Sequence, residues 1–171
     1  MHDGYLYTLG ICGSAAGSGP APECLSMMLA ALPPVKRAAF LGEVLLNQAG
    51  PSLADPLRDP LYHELADAEV LLLVTPLLGG ALPARLSALA TLLIQKPLPK
   101  APAYAVLVSF NDQPRVGLAL LQRALTTNGI ELLHELSVPN EADLVAFGLT
   151  AIAAAQQAYG RARLLYPEAL P

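Results

Sequence analysis

Basic residues are scarce in this chain, and charge of either sign is scarce with them. Lysine and arginine total 10, aspartate and glutamate 14, and charged residues make up only 14 % of the sequence. An ordinary globular domain carries about a quarter. No basic run occurs, none is studded with aromatics, and the formal net charge is −4. These absences exclude the electrostatic footprint of a nucleic-acid surface. Cysteine occurs twice, at Cys12 and Cys24, with no CxxC pair, and three scattered histidines give no zinc spacing. No metal site is expected, and both thiols read as small core residues.

Long uninterrupted apolar runs are missing too. The most apolar stretch, Val70 to Leu82, is broken by Pro76, Gly79 and Gly80. It falls short of the roughly 20 residues that a spanning helix needs. The start of the chain, with His2, Asp3 and Gly4, has no basic n-region. The expectation is a cytoplasmic protein with no membrane partner. Yet 54 % of the residues are hydrophobic. A large buried sheet or an oligomer interface must absorb them. The length suits one domain, 1–171, able to bury a core without disulfide or metal staples.

Strand and helix patterns alternate along the chain. Tyr5 to Cys12 reads as a strand, and Ala21 to Leu32 as a helix with Pro20 at its first position. Ala38 to Leu46 is a weaker strand, and Leu61 to Ala68 a short helix. Val70 to Thr75 and Tyr104 to Phe110 are continuously apolar, as strands covered on both faces are. Helices follow over Pro83 to Ile94 and Val116 to Thr127, the second stopped by Asn128-Gly129. Ile130 to Val138 is the last strand, and Asn140 caps a helix running to about Tyr159. Strict alternation points to a parallel sheet with helices on both faces. Length and element count suit a three-layer α/β sandwich with five parallel strands in the order 2-1-3-4-5.

In that order, a ligand belongs beyond the carboxyl ends of the first and third strands. The loop after Cys12 holds only small residues: Gly13-Ser14-Ala15-Ala16-Gly17-Ser18-Gly19-Pro20. Its backbone N–H groups, the Ser14 and Ser18 hydroxyls, and a following helix that opens with Pro20-Ala21 suit an anion. Neither GK[ST] nor GxGxxG is present, so it is no Walker or dinucleotide loop. The loop after Thr75 is Pro76-Leu77-Leu78-Gly79-Gly80. Its glycines allow backbone to approach a flat ring, and Leu77 and Leu78 suit an apolar face. Asn111 closes the fourth strand and is placed either at the ring's edge or in an Asn-Asp turn. His63 reads as solvated, His134 as structural, and Asp55 and Asp59 as turn residues. No catalytic acid, base or nucleophile is assigned.

Leu9 to Leu32 resembles the opening of NADPH-dependent FMN reductases: a strand, Gly-Ser-Pro-Arg, a short polar loop, then a helix. Ala66 to Leu93 is similar to that family's second motif, with Ala66-Asp67, Thr75-Pro76, Gly80, Pro83, Leu86 and Ala88 in register. The resemblance follows the order of elements along most of the chain and is specific in these two segments. It implies a flavodoxin-like fold, FMN as cofactor, NADPH or NADH as co-substrate, a small-molecule electron acceptor and a homodimer. Departures accompany it. Ala15-Ala16 stand where Pro-Arg is usual, and Pro20-Ala21 where Asn-Thr is usual. Leu78 replaces a Tyr, and Ser87 and Thr91 replace a Lys and an Asp. Three functions fit: an NAD(P)H-dependent FMN or quinone-type reductase, a flavodoxin electron carrier, or a flavin-free domain acting through its oligomer surface. The helix over Pro83 to Ile94 is apolar nearly all round, and a partner subunit is expected on its outer side.

Overall fold

The computed structural model describes residues 6–14, 19–33, 37–41, 60–77, 79–111, 118–139 and 144–166. Among them, strands and helices alternate: β1 (Thr8–Cys12), α1 (Pro20–Ala30), β2 (Arg37–Leu41), α2 (Pro60–Asp67), β3 (Val70–Pro76), α3 (Ala84–Gln95), β4 (Tyr104–Phe110), α4 (Leu118–Thr127), β5 (Glu131–Val138) and α5 (Leu144–Leu165). The strands form one parallel sheet in the order β2-β1-β3-β4-β5. Both faces of the inner strands are covered, which is why their sequences are apolar without alternation.

Alternate residues of each strand feed two cores. Leu71 and Leu73 of β3 and Ala105 and Leu107 of β4 join Leu61 and Leu65 of α2, Leu86, Leu89 and Leu93 of α3, and Leu118, Leu121 and Leu125 of α4. Leu72 and Val74, with Val106 and Val108, face the other way, onto Cys24, Leu25 and Met28 of α1 and Ala151, Ala155 and Ala158 of α5. The small residues of α5 let it lie close to the sheet and to α1. Cys12 and Cys24 are free and buried in this second core.

Element ends correct the sequence reading in two places, the start of β1 and the end of α5. The first strand starts at Thr8, not Tyr5, because the Tyr7 N–H donates to the buried Glu69 carboxylate at 2.5 Å rather than to a ladder. Strand β2 is described over Arg37–Leu41, and the remainder of the expected strand, to Leu46, falls in residues 42–59, outside the described residues. Asn140, the expected cap, also lies outside them. Helix α5 runs on to Leu165, past Tyr159, since its buried small-residue stripe continues through Ala158 and Ala162. The stop after α4 is as the sequence implies. Gly129 takes φ +69°, and Ile130 N–H reaches back to the Leu125 carbonyl at 3.0 Å.

Helix α3 departs from its expected role. Leu86, Leu89, Ala90, Leu92 and Leu93 are all buried within the protomer. Its neighbours α2 and α4 share their core with it. The exposed large hydrophobic residues among the described ones are Leu149, Leu164 and Leu165, all on α5. No helix among the described residues is long and apolar enough to cross a membrane.

Candidate functional site

The carboxyl ends of β1 and β3 lie side by side. Cys12 pairs with Val74, and beyond them the Gly13 N–H donates to the Val74 carbonyl at 2.9 Å. Only glycine fits here. A Cβ on Gly13 would stand 2.3 Å from Thr75 Oγ1, 2.9 Å from Thr75 Cβ and 3.3 Å from Leu86 Cδ2. The next join is between β3 and β4: Pro76 pairs with Phe110, and the Leu77 N–H donates to the Phe110 carbonyl at 2.9 Å. Asn111 follows, held by its own N–H on the Val138 carbonyl at 2.8 Å and largely buried. The chain thus brings Ser14, Pro76, Leu77 and Asn111 to one end of the sheet.

Two glycine conformations open this end. Gly19, the residue before α1, has φ +114° and ψ −178°, and no side chain caps the helix. Gly79 and Gly80 have φ +59° and +83°. A Cβ at Gly19 or at Gly79 would meet nothing within 4 Å. Backbone is therefore exposed on both rims, a geometry that admits a flat or phosphorylated ligand closely.

The individual residues fare differently. Ser14 is half-buried at the end of β1, Pro20 is exposed and Ala21 buried at the start of α1, and Gly80 is buried in its turn. Pro76 is the last residue of β3 rather than the first of a loop. Leu77 is not an open apolar wall. Only 4 % exposed, it continues the Leu71, Leu73, Thr75 face into the core under α3. Ala16, Ser18 and Leu78 lie outside the described residues.

Two features escaped the sequence reading. Thr75 and Ser109 pair in register one step before the strand ends, both fully buried, so two hydroxyls sit beneath the site. Thr75 Oγ1 donates to the Pro76 carbonyl at 2.9 Å, while Ser109 Oγ has no partner among the described residues. The second feature concerns α1. The four amide positions that a helix start leaves unpaired are here Gly19, Pro20, Ala21 and Pro22. Two of them carry no N–H. The next amide, Glu23, already donates to the Gly19 carbonyl at 3.1 Å, and the Glu23 side chain adds an acid to the first turn. The Pro20-Ala21-Pro22 triplet was visible in the sequence, and its second proline was the signal.

The thiols beneath the site are inert at neutral pH. Burial raises Cys12, with the Ser14 backbone N–H pulling the other way. Burial, then the nearness of Cys12, pushes Cys24 up to about 12. Sulphur nucleophilicity requires the thiolate, so neither is a candidate nucleophile.

FMN needs a place for its flat ring and a place for its phosphate. For the ring, the paired strand ends, the exposed backbone at Gly79 and Asn111 at the end of β4 offer hydrogen-bonding edges. For the phosphate, α1 offers two of its usual four unpaired amides, since Pro20 and Pro22 carry no N–H; residues 15–18 of the loop before it lie outside the described residues.

No family model and no curated protein sequence matches this one significantly. Solved structures do. Smu.1420 from Streptococcus mutans UA159 superposes with TM-score 0.64 at 12 % identity, over 91 % of this chain and 100 % of that one. The apo form of an NADH:FMN oxidoreductase gives 0.58 at 16 % identity, over 93 % and 89 %. A flavodoxin from Streptococcus pneumoniae TIGR4 gives 0.60 at 13 % identity, over 93 % and 98 %. At these identities the likeness is one of fold: the chain has the flavodoxin-like α/β fold with a parallel sheet.

Proposed function

We propose that this protein is a flavin-dependent oxidoreductase, an NAD(P)H-dependent reductase that holds FMN, or a flavin of the same ring class, beyond the carboxyl ends of β1 and β3. The observation that carries this reading is the close join of Gly13 with Thr75, flanked by open backbone at Gly19 and Gly79. It sits where the sheet order reverses, the place where open α/β sheets take their ligands. Likeness in fold to an NADH:FMN oxidoreductase and to a flavodoxin supports it.

A bound flavin supplies the two-electron chemistry, taking hydride from a reduced nicotinamide and returning electrons to an acceptor such as a flavin or quinone. The chain's own contribution is positioning. Backbone around Gly79 and Gly80 offers N–H groups to the ring edge, and Asn111 offers an amide from the end of β4. Ser14, at the end of β1, would hold the ribityl chain that a flavin carries. The buried strand ends below exclude water from one side of the ring, which protects a reduced flavin from side reactions. No ionisable side chain is assigned a proton-transfer role.

Titration of the purified protein with FMN, followed by quenching of flavin fluorescence, tests binding. Oxidation of NADH or NADPH at 340 nm with a quinone or free flavin tests turnover. Saturable quenching together with nicotinamide oxidation supports the reductase. Quenching without oxidation supports an electron carrier instead. A protein that neither binds flavin nor oxidises nicotinamide refutes the reading and leaves the flavin-free domain. A homodimer belongs to the same proposal. The surface offered is α5, where Leu164 is 82 % exposed, and not α3. Light scattering should show a dimer that Leu164→Glu converts to a monomer.

A further inference from the structure

Resting on the homodimer proposed above, we infer that two copies of this chain join by laying α5 antiparallel on itself, about a two-fold axis that passes between Gln156 and Gln157. The exposed large hydrophobic residues among the described ones, Leu149, Leu164 and Leu165, are all on this helix. A helix face left to water ordinarily carries charge. Of the described residues from Leu149 to Leu165, the one exposed charged residue is Arg161. It is drawn off toward the sheet, with its guanidinium over the Tyr104 ring at 5.9 Å and its Nη1 3.7 Å from Glu131 Oε1. What stays on the face is apolar, small or amide.

The order of those residues decides what covers them. Along the exposed stripe stand Leu149, Ala153, Gln156, Gln157, Gly160 and Leu164. In kind they run large apolar, small, amide, then amide, small, large apolar. The steps between them are 4, 3, 1, 3 and 4 residues. Steps of three and four keep to one face of a helix. The stripe therefore reads the same from either end. A two-fold interface sets one patch against itself, so that residue i meets j where j meets i. Turned end for end about its middle, this stripe brings Leu149 against Leu164 of the second copy, Ala153 against Gly160, and Gln156 against Gln157. An unrelated partner would need no such symmetry. Parallel pairing would instead set Arg161 beside Arg161 and Arg163 beside Arg163, with the helix dipoles head to head.

Gly160 carries weight of its own. Glycine inside a helix is costly relative to alanine, yet a Cβ built there meets nothing within 4 Å in the protomer. The fold does not ask for it. Close approach of a second helix does, since the side chains at the contact set the distance between helix axes, and here glycine meets alanine. Gln156 Nε2 already donates to the Ala31 carbonyl at 3.4 Å, so its side-chain oxygen is the atom offered to Gln157 of the second copy. Beside the far half of the stripe a cavity of about 460 Å³ opens between α5 and β5, lined by Leu133, His134, Gln157, Gly160, Arg161 and Leu164. It gives the incoming Leu149 a recess. It also widens the face beyond the 22 residues of the helix, about 33 Å long, toward the roughly 800 Å² per partner that a stable dimer buries.

Single cysteines placed on the stripe read the register. Cys12 and Cys24 are buried, so the unaltered chain is the unlinked control. Under mild oxidation with copper phenanthroline, Gln157→Cys should link to itself, because its two copies lie within about 2 Å of each other along the helix axes. Leu149→Cys and Leu164→Cys should each stay unlinked alone, their own copies being about 22 Å apart along the helices, and should link when mixed. Leu164→Cys linking to itself overturns the inference, and so does a dimer in which none of these positions links; the homodimer stands in both cases. A chain that is monomeric by light scattering at every concentration overturns the homodimer and the inference together. Gly160→Leu separates packing from folding. It should keep or raise Tm, since leucine suits a helix better than glycine, and weaken dimerisation at least tenfold. An unchanged dimerisation constant in that variant would show that Gly160 meets no second helix, and the register would fall.

Discussion

Replacing Gly13 by alanine puts the geometry of the site under direct load. The added Cβ must sit 2.3 Å from Thr75 Oγ1 and 2.9 Å from Thr75 Cβ. Rotating Thr75 about χ1 moves the hydroxyl but not Cβ, and the side chain is fully buried beneath α3. Relief must come from backbone, by parting β1 and β3 at their ends and stretching the 2.9 Å bond from Gly13 N–H to Val74. Overpacking of a tight interior costs about 1–3 kcal/mol, and the absence of a flexible neighbour places this case at about 2–3 kcal/mol. For a chain of this size that lowers Tm by about 5–10 °C. Urea unfolding of the wild type, Gly13→Ala, Thr75→Ala and the double variant gives a full cycle. Thr75→Ala alone loses a small volume and the bond to the Pro76 carbonyl, about 1 kcal/mol. The double variant removes the 2.3 Å conflict and keeps the 2.9 Å one. It should therefore be more stable than the sum of the single losses by about 1 kcal/mol or more. A Gly13→Ala protein within about 0.5 kcal/mol of wild type, with no coupling to Thr75, would mean that the two strand ends do not meet, and the site would go with them.

Further outcomes follow from the same structure. Burial pushes Cys24 up to about 12 from its ordinary 9.0, so the folded chain keeps a proton that the unfolded chain loses. Its contribution to stability is complete below pH 9 and is lost as pH rises from 9 toward 12. Urea midpoints should fall across that window, less steeply in Cys24→Ala, and a midpoint unchanged to pH 11 would contradict the burial. Asn128 accepts from Leu98 N–H at 2.7 Å and donates to the Leu93 and Ala124 carbonyls at 3.0 and 2.8 Å. Asn128→Ala strands those groups and should cost about 2–3 kcal/mol, with Asn128→Asp in between; a loss below about 0.5 kcal/mol would mean that solvent replaces the bonds. Gly79→Ala should cost about 1–2 kcal/mol from its left-handed backbone, and Gly79→Asn less; equal stabilities would place that turn elsewhere.

Alternation and the parallel sheet were legible because burial on both faces writes itself as unbroken apolar runs, clearest at Val70–Pro76 and Tyr104–Phe110. Ends were harder to read. Leu6 and Tyr7 are buried and apolar like the strand they precede, and nothing local shows that a distant carboxylate takes the Tyr7 N–H. The apolar girth of α3 suggested a partner subunit, whereas Leu86, Leu89, Ala90, Leu92 and Leu93 are buried within the protomer, in a core shared with the sheet and α4, a tertiary fact with no mark in the helix itself. Leu77 was misread for a related reason. Alternation along β3 does not stop at the end of the strand, and it carries Leu77 inward.

The switch point between β1 and β3 follows from strand order alone, since the chain leaves β1 toward one edge of the sheet and returns as β3 on its other side. It would exist whatever ligand the protein held. What belongs to this chain is the set of donors at its rim, and there Pro22 is the informative residue. A proline at the first helical position is ordinary, because its fixed φ suits the helix and its missing N–H was unpaired anyway. A proline two positions further on breaks no helix bond, since that amide is unpaired as well, but it disfavours the helical conformation that Ala21 before it must hold. The hydrogen-bond ladder of α1 is thus blind to Pro22. Anion binding is not, because the unpaired amides are the anion site. Pro20 and Pro22 leave the start of α1 with two of its four unpaired amides, those of Gly19 and Ala21, to offer an anion.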